Sequence, residues 1–218
     1  GLLRSWPKEG PKVLWTAPVG VGYGGPAVSG GKVYLLDRNE KVGDTLRCFD
    51  LASGKELWNF AYDAATSFHH PGSRSTPTVD GDFVYVCGPL GDLYAIGATT
   101  HKPVWRKNIW KDFGGGELPR WGITQNPLVY RDLLIVAPQA PQATVAAYDK
   151  RTGELKWKSP VLPGTAGYVT PSVVKVGGGD HLVMITAGVG FGRSAKGGTV
   201  AGLDPLSGKM LWSYGNWQ

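Results

Sequence analysis

The segment Asp50-Leu-Ala-Ser-Gly-Lys-Glu-Leu-Trp58 decides the fold, because closely similar segments recur at Asp149–Trp157 and Asp204–Trp212. An aspartate at the end of a strand can accept hydrogen bonds from backbone amides in an Asx-type turn. Glycine readily adopts the positive φ that such a turn needs near its end. Each segment therefore predicts a hairpin whose second strand carries the tryptophan. The turn glycines follow each aspartate by four residues and are Gly54, Gly153 and Gly208.

Two series of residues show that these hairpins belong to a longer repeat. Tryptophans end an apolar run at positions 15, 58, 105, 157 and 212, so they are separated by 43, 47, 52 and 55 residues. Prolines of a Pro-x-Val pattern alternate with them, at positions 26, 77, 127 and 171. The second repeat is less regular, since Gly97 replaces the aspartate and His101 replaces the turn glycine before Trp105. We still expect a hairpin there.

Each repeat contains four predicted strands: an inner strand at the proline, two apolar runs and the tryptophan strand. Units of this length with four antiparallel strands are typical of β-propeller blades. The sequence therefore predicts a single all-β domain over 1–218, with complete blades at about 23–58, 74–105, 123–157 and 168–212. Residues 13–16, around Trp15, are expected to form a lone closing strand. That strand favours the interpretation that the chain is part of a larger seven- or eight-bladed ring. A closed four-bladed ring and an open arc that dimerises are the alternatives.

Composition excludes several other classes of protein. The 33 glycines and 16 prolines argue against a helical fold, and no apolar run reaches the ~18 residues of a membrane-spanning helix. The first residues do not resemble a signal segment. The net charge of +6 is spread over single lysines and arginines, so we expect no nucleic-acid partner. Cys48 and Cys87 lie in apolar runs and are interpreted as small buried hydrophobes, although one disulfide between them stays open.

The repeated string Asp-x-x-(Ser/Thr)-Gly-x-x-x-Trp resembles the tryptophan-docking motif of the PQQ-like β-propellers, from about Val13 to Trp212. That family includes the quinoprotein alcohol dehydrogenases, which are eight-bladed, and assembly lipoproteins of the BamB type. The resemblance implies a periplasmic or secreted protein and a structural role for the repeat residues, which pack one blade on the next. These residues are Trp15, Asp50, Gly54, Trp58, Trp105, Asp149, Gly153, Trp157, Asp204, Gly208 and Trp212.

For a dehydrogenase, the resemblance implies the quinone PQQ, a calcium ion bound by Glu, Asn and Asp, an aspartate base and a pair of adjacent cysteines. The two cysteines here are not adjacent, and Asp112, Glu117 and Asn126 are calcium candidates only by their proximity in sequence. Calcium takes six to eight oxygen ligands, which one loop does not supply. His69 and His70 lack a visible third ligand. We therefore expect no catalytic residue, no metal site and no cofactor.

The loops that precede the inner strands are the candidate binding site, because such loops meet at the mouth of a propeller's central channel. Tyr23, Arg74, Trp121 or Gln125, and Tyr168 occupy near-equivalent places in successive blades. Arg120 is expected to stack on Trp121 as a cation–π pair at the mouth. The alternatives are that the tyrosines only fill the channel and that Arg74 pairs with a neighbouring carboxylate. Glycines 114–116 do not match a phosphate-binding loop and are interpreted as a flexible insertion.

The preferred hypothesis is a non-catalytic binding or scaffold module for a protein, a peptide or a glycan at the channel mouth. One alternative is a fragment of a PQQ- and calcium-dependent alcohol or sugar dehydrogenase, and another is a purely structural domain of a larger protein. Apolar blade faces without a neighbour would also let the chain self-associate.

Overall fold

The protein is an all-β chain of four sheets; its computed structural model describes residues 5–190 and 196–217. Within these residues, sixteen strands form four antiparallel four-stranded sheets, and the strands of each sheet follow one another in sequence order. This arrangement confirms the predicted propeller blades. Blade 1 contains β1 (Ala27–Ser29), β2 (Lys32–Asn39), β3 (Gly43–Asp50) and β4 (Glu56–Asp63); blade 2 contains β5 (Thr78–Asp80), β6 (Phe83–Cys87), β7 (Asp92–Gly97) and β8 (Pro103–Asn108).

The second half of the chain repeats this plan after one short 3-10 helix, Lys111–Phe113. Blade 3 contains β9 (Leu128–Tyr130), β10 (Leu133–Val136), β11 (Ala146–Asp149) and β12 (Leu155–Lys158); blade 4 contains β13 (Ser172–Val176), β14 (Gly179–Ile185), β15 (Gly198–Leu203) and β16 (Met210–Trp217).

The hairpins between the third and fourth strands have the chemistry that the sequence predicts. The carboxylate of Asp50 accepts a hydrogen bond from the amide of Ser53 at 2.8 Å, and Asp149 accepts one from Thr152 at 2.9 Å. The turn glycines have φ near +70°, a region that costs an L-residue energy but costs glycine almost none. In blade 2, His101 adopts the same left-handed conformation, with a φ of 59°.

Tryptophans of the outermost strands pack on the turn of the following blade. The ring of Trp105 lies over Gly153, where an added Cβ would approach it to 2.7 Å, and its Nε1 donates to the carbonyl of Lys150 at 3.1 Å. Trp157 lies over Gly208 in the same way. Each contact requires that the turn residue has no side chain, so the glycine serves both the turn and the docking of the neighbouring blade.

The hydrophobic core lies between the sheets. Leu36 and Leu46 of blade 1 pack against Val84 and Val86 of blade 2, and all four are fully buried. Equivalent clusters join blade 2 to blade 3 and blade 3 to blade 4. Because burial of apolar surface contributes roughly 25 cal/mol per Å², these clusters stabilise the contacts between neighbouring blades.

The structure bears on two expectations, one about the start of the repeat and one about the cysteines. Residues 13–16 pair with no strand among the described residues, so the lone closing strand stays a prediction; Trp15 docks by its side chain on Gly54 and donates to Leu51 at 2.9 Å. Cys48 and Cys87 are free and buried in strands β3 and β6, which leaves the role of small hydrophobes and excludes the disulfide.

Candidate functional site

The first strands of the blades lie next to one another, which brings the loops before them together. Strand β1 contacts β5, and β5 contacts β9. The hydroxyl of Thr78 in β5 donates to the carbonyl of Pro127 just before β9. One residue of each loop stands three positions before the repeat proline, and these four residues are Tyr23, Arg74, Thr124 and Tyr168.

The two positions after this one serve the fold rather than the site. At the second position before the proline, Gln125 is buried and its Nε2 donates to the carbonyl of Ala137 in its own blade at 2.9 Å. At the first position, the side chain of Asn126 accepts from the amide of Thr76 in the preceding blade at 2.7 Å. Side chains of an extended segment alternate in direction, so the side chain at the third position points away from the side taken by Gln125. All four residues at the third position line one cavity.

The four residues at the third position before the prolines line a cavity of about 340 Å³, which we call the mouth cavity. The rings of Trp121 and Tyr168 form one wall, with their centroids 4.9 Å apart. On the other wall, the guanidinium carbon of Arg74 lies 5.7 Å from the ring centroid of Tyr23. The mouth cavity thus combines an aromatic surface with one cation. It is lined by Tyr23, His70, Arg74, Trp121, Thr124 and Tyr168.

Arg74 is partly desolvated, and its contacts among the described residues are to a backbone carbonyl and to aromatic rings. Its Nη2 donates to the carbonyl of His70 at 2.6 Å, and its guanidinium stacks on Phe68 at 4.9 Å, while its buried Nε has no hydrogen-bond partner. In the described part of the chain it forms no ion pair. Burial lowers the pKa of Arg74, against the influence of Tyr23 and Glu40, but a guanidinium stays protonated.

The expected alternative, a carboxylate partner for Arg74, is not what the structure shows. Glu40 accepts at 2.9 Å from Nε of Arg38, a side chain that is fully buried. The same carboxylate also accepts from the backbone amides of Phe68 and Gly72, at 3.2 and 3.0 Å. Glu40 therefore holds the loop that carries Arg74, rather than neutralising its charge.

Backbone contacts fix the two ends of the mouth cavity. The amide of Tyr23 donates to the carbonyl of Ser73 at 2.8 Å, next to a parallel bridge between Gly22 and Ser73. Across the cavity, Tyr168 has a φ of 53°, a conformation that non-glycine residues rarely adopt and that often marks functional sites. The amide before it, on Gly167, donates to Gln139 at 2.7 Å. The aromatic rings are thus held by defined backbone rather than by loose loops.

A second cavity of about 640 Å³ adjoins the first, and we call it the side cavity. It shares Trp121 and Tyr168 with the mouth cavity, so this pair of rings separates the two spaces. Glycines 114–116, interpreted above as a flexible insertion, instead wrap the buried Trp110, whose Nε1 donates to Gly116 at 3.0 Å. The glycines allow this close approach because a Cβ on Gly115 would overlap the indole ring.

The structure brings together Tyr23, Arg74, Trp121 and Tyr168, as the sequence predicts, but it separates the other two candidates from them. Gln125 does not line the mouth cavity, since its side-chain amide is hydrogen-bonded to both backbone groups of Ala137 in blade 3. Arg120 is exposed and lines only the side cavity, and the described residues contain no cation–π contact between it and Trp121.

Two lining residues were missed from the sequence. Thr124 could have been found, because it stands three residues before its proline, as Tyr23, Arg74 and Tyr168 do. His70 has no such signal; it lines the cavity because the loop anchored by Glu40 turns its backbone towards Arg74.

The residues that the sequence offered for calcium have separate roles. Asp112 lies in the 3-10 helix and accepts from the amide of Asn108 at 3.1 Å, Asn126 links two blades, and Glu117 lines the side cavity. Across residues 5–190 and 196–217, no group of three or more His, Cys, Asp or Glu could hold a metal ion. With the two cysteines in different strands as well, the described residues do not fit the calcium–quinone arrangement that the resemblance implies for a dehydrogenase.

The same described ranges contain no helix that is long and apolar enough to cross a membrane.

Comparison with known proteins identifies relatives of two kinds. The chain is 29% identical over 204 residues to the outer membrane protein assembly factor BamB of Bordetella pertussis. This match covers 92% of this chain and 44% of that protein. It is 28% identical over 211 residues to quinohemoprotein alcohol dehydrogenase ADH IIB of Pseudomonas putida, covering 76% of this chain and 30% of that protein. The chain therefore spans less than half the length of these relatives.

Solved structures show the same fold. A europium-containing methanol dehydrogenase superposes with a TM-score of 0.66 and 16% identity, over 95% of this chain and 44% of the other. BamB from Moraxella catarrhalis superposes with a TM-score of 0.55 and 20% identity, over 87% and 47%. The family described as outer membrane protein assembly factor BamB matches residues 42–215, which include strands β3 and β4 of blade 1, all of blades 2 and 3, and blade 4 except the end of β16. The chain therefore belongs to this family of PQQ-like β-propellers.

Proposed function

We propose that the chain is a non-catalytic binding module that holds a segment of a protein or peptide, or a glycan, at the mouth cavity. The observation that carries the proposal is the convergence of one residue from each of four blades on a single cavity. Their neighbours in sequence are occupied by hydrogen bonds within and between blades, so the loops are built to present these four side chains.

The chemistry of the mouth cavity supports binding. Trp121 and Tyr168 offer flat apolar surface with polar edges, which is the kind of surface that dominates protein interfaces. Trp121 is 38% exposed and Tyr23 is 64% exposed, so both are available to a partner. The name of the Bordetella relative describes an assembly factor for other proteins, which agrees with a protein partner here.

A library of displayed random dodecapeptides, together with a glycan array, tests this proposal. We expect ligands that bind the 218-residue chain and lose at least tenfold in affinity to Trp121→Ala. Trp6→Ala is the matched control, because Trp6 is 49% exposed and does not line either cavity. A failure to enrich any ligand over the Trp121→Ala variant would overturn the proposal.

The identity to the Pseudomonas dehydrogenase keeps one alternative, a fragment of a PQQ- and calcium-dependent alcohol or sugar dehydrogenase. That function requires the quinone to bind stoichiometrically when it is added with calcium, and an alcohol to reduce an electron-acceptor dye. We expect neither, since two of the three candidate calcium ligands, Asp112 and Asn126, accept hydrogen bonds from backbone amides. Dye reduction that depends on added quinone would favour the dehydrogenase.

A periplasmic or secreted location is part of the same proposal. It is supported by the relationship to an outer membrane protein assembly factor. Cell fractionation of the source organism with an antibody against this chain checks it, and recovery with the cytoplasmic markers would contradict it.

A further inference from the structure

We propose that the mouth cavity and the side cavity are two compartments of one site, which binds an extended acidic peptide: a carboxylate pairs with Arg74 and a nearby apolar side chain enters the side cavity. This inference rests on the proposed binding function and names the chemistry of its ligand. It follows from three features: the guanidinium of Arg74, which has no carboxylate partner among the described residues, the apolar lining of the side cavity, and the ring pair that the two spaces share.

The first compartment is set up for an anion. The guanidinium carbon of Arg74 lies 5.7 and 4.9 Å from the ring centroids of Tyr23 and Phe68, and Arg74 lines the mouth cavity. Within the described part of the chain its Nη2 donates to the carbonyl of His70 and its Nη1 has no hydrogen-bond partner, so the guanidinium keeps a donor for a carboxylate, with which it forms strong charge-assisted hydrogen bonds. The carboxylate of Glu40 is held by Arg38 and by two backbone amides, so the ligand has to supply the acceptor.

The second compartment is set up for an apolar side chain. Its volume of about 640 Å³ is in the range of small-molecule and side-chain pockets. The charges at its edge, Arg120 and Glu117, are opposite in sign and therefore leave little net field. The apolar lining comes from the loops around blades 3 and 4 and includes Trp110, Leu118, Ala140, Pro141, Val161 and Ala166.

Trp121 and Tyr168 join the compartments. Because each ring lines both cavities, a ligand that crosses them can occupy both spaces at once. An extended peptide advances about 3.3–3.6 Å per residue, so a few residues suffice to pass the width of an aromatic side chain. A peptide can carry an acidic side chain for the mouth cavity and an apolar side chain for the side cavity, whereas a neutral glycan lacks the carboxylate.

A series of blocked peptides tests the inference. Each peptide, acetyl-Gly-Asp-(Gly)n-Leu-Gly-amide with one to four central glycines, is titrated into the 218-residue chain by calorimetry beside its Asn counterpart. We expect one spacing to bind best and its Asn counterpart to bind about tenfold more weakly, because a hydrogen bond to a charged group contributes about 1.5–3 kcal/mol. Arg74→Gln should remove the difference between the Asp and Asn peptides.

The matched control is Arg131→Gln, which removes the same charge from an exposed arginine that also stacks on a tyrosine, Tyr130 at 5.5 Å, outside both cavities. It should leave the preference for Asp unchanged. Equal binding of Asp and Asn peptides that is lost in Trp121→Ala would overturn the acidic ligand and leave the binding module intact. Binding of oligosaccharides of uronic acid, but of no peptide, would overturn the peptide. Absence of any binding to the peptide series, to the peptide library and to the glycan array would overturn both.

Discussion

At the scale of single residues, the turn glycines act twice, in the turn and under a tryptophan. Gly153 has a φ of 71° and lies beneath the ring of Trp105, whereas Gly81 has a φ of 55° and no atom within 4 Å of an added Cβ. The comparison of these two glycines separates the conformational cost of a side chain from the cost of displacing the docked tryptophan.

We predict that Gly81→Ala costs about 1 kcal/mol of unfolding free energy, the usual penalty for a left-handed L-residue. Gly153→Ala should cost about 2–4 kcal/mol, since the methyl group also overpacks against the indole of Trp105. Denaturation by urea, followed by tryptophan fluorescence, measures both. Equal losses at the two sites would mean that the tryptophan moves aside freely and does not dock the blades.

His101 shows how the irregular second repeat keeps its turn. It adopts a φ of 59° without being a glycine, and its ring stacks on Trp58 with 4.6 Å between centroids and an angle of 15°. The tryptophan that packs on a glycine elsewhere thus packs on an imidazole here. The aromatic contact offsets the conformational cost of the histidine.

We predict that His101→Gly changes the unfolding free energy by less than about 1 kcal/mol, because relief of the left-handed conformation offsets loss of the stacking. His101→Ala should be more destabilising than His101→Gly, as it loses the ring and keeps the backbone cost. Thermal melts of the two variants check this order. A glycine variant that is less stable than the alanine variant would show that the left-handed conformation carries no cost at this position.

At the scale of strands and loops, neighbouring residues before each proline have opposite tasks. Gln125 joins two backbone groups of Ala137, while Thr124 beside it faces the mouth cavity. We predict that Gln125→Ala lowers the unfolding free energy by about 2–3 kcal/mol, because buried backbone groups lose their partners. The adjacent Thr124→Ala is the control and should stay within about 0.5 kcal/mol. A similar loss in both variants, measured by urea denaturation, would contradict the division of tasks.

The contact between blades 1 and 2 contains a buried ion pair that should make stability depend on pH. Arg38 and Asp44 are 2.9 Å apart with no exposed side-chain area, and the second oxygen of Asp44 has no partner. Burial raises the pKa of Asp44 to about 6; Arg38 and Tyr62 lower it in part, and Asp92 adds to the rise. The folded state therefore holds this proton more tightly than the unfolded chain, whose aspartates titrate near 3.9.

We predict that this group reduces the unfolding free energy as the pH rises from about 4 to about 6, and has no further effect above that range. The unfolding free energy of the wild type minus that of Asp44→Asn should fall by on the order of 2 kcal/mol between pH 4 and pH 7. Turn aspartates such as Asp50 and Asp149 have lowered pKa values, so their contribution is lost only below about pH 4. Asp82→Asn, at an exposed site, is the control. A difference that grows with pH would mean that the ion pair with Arg38 dominates over burial.

The fold was more predictable than the site because its signals are local. Asp50, Gly54 and Trp58 specify their hairpin within nine residues, and each hairpin closes a sheet of strands that are adjacent in sequence. The orientation of the Gln125 side chain depends instead on a hydrogen bond to the backbone of Ala137, twelve residues away, and the local sequence does not show whether Thr124 or Gln125 faces the cavity. The absence of a strand at 13–16 likewise depends on whether a partner strand lies beside it, which tryptophan spacing does not report.

At the scale of the whole molecule, each blade has one sheet face that carries the repeat tryptophan, and in blades 1 to 3 the following blade packs on this face. Among the described residues, no blade packs on the corresponding face of blade 4. In blade 1, the face with Tyr34, Cys48 and Trp58 is buried by blade 2. In blade 4, Val183 and Trp212 occupy the positions of the sheet that correspond to Tyr34 and Trp58, and both side chains are only half-buried. Trp212 turns back on its own sheet and its Nε1 donates to Nδ1 of His181 at 2.8 Å.

We predict that the 218-residue chain associates with a second copy through this face, because an apolar sheet face without a neighbour is a site of association. Sedimentation velocity should show an average mass that rises with protein concentration. Val183→Glu places a charge in the middle of the face and should keep the chain monomeric. Val104→Glu is the matched control, since Val104 is 52% exposed on the outermost strand of blade 2 and should leave association unchanged. A chain that is monomeric at every concentration, or a Val183→Glu variant that associates like the wild type, would show that the turned-back indole of Trp212 already closes the face.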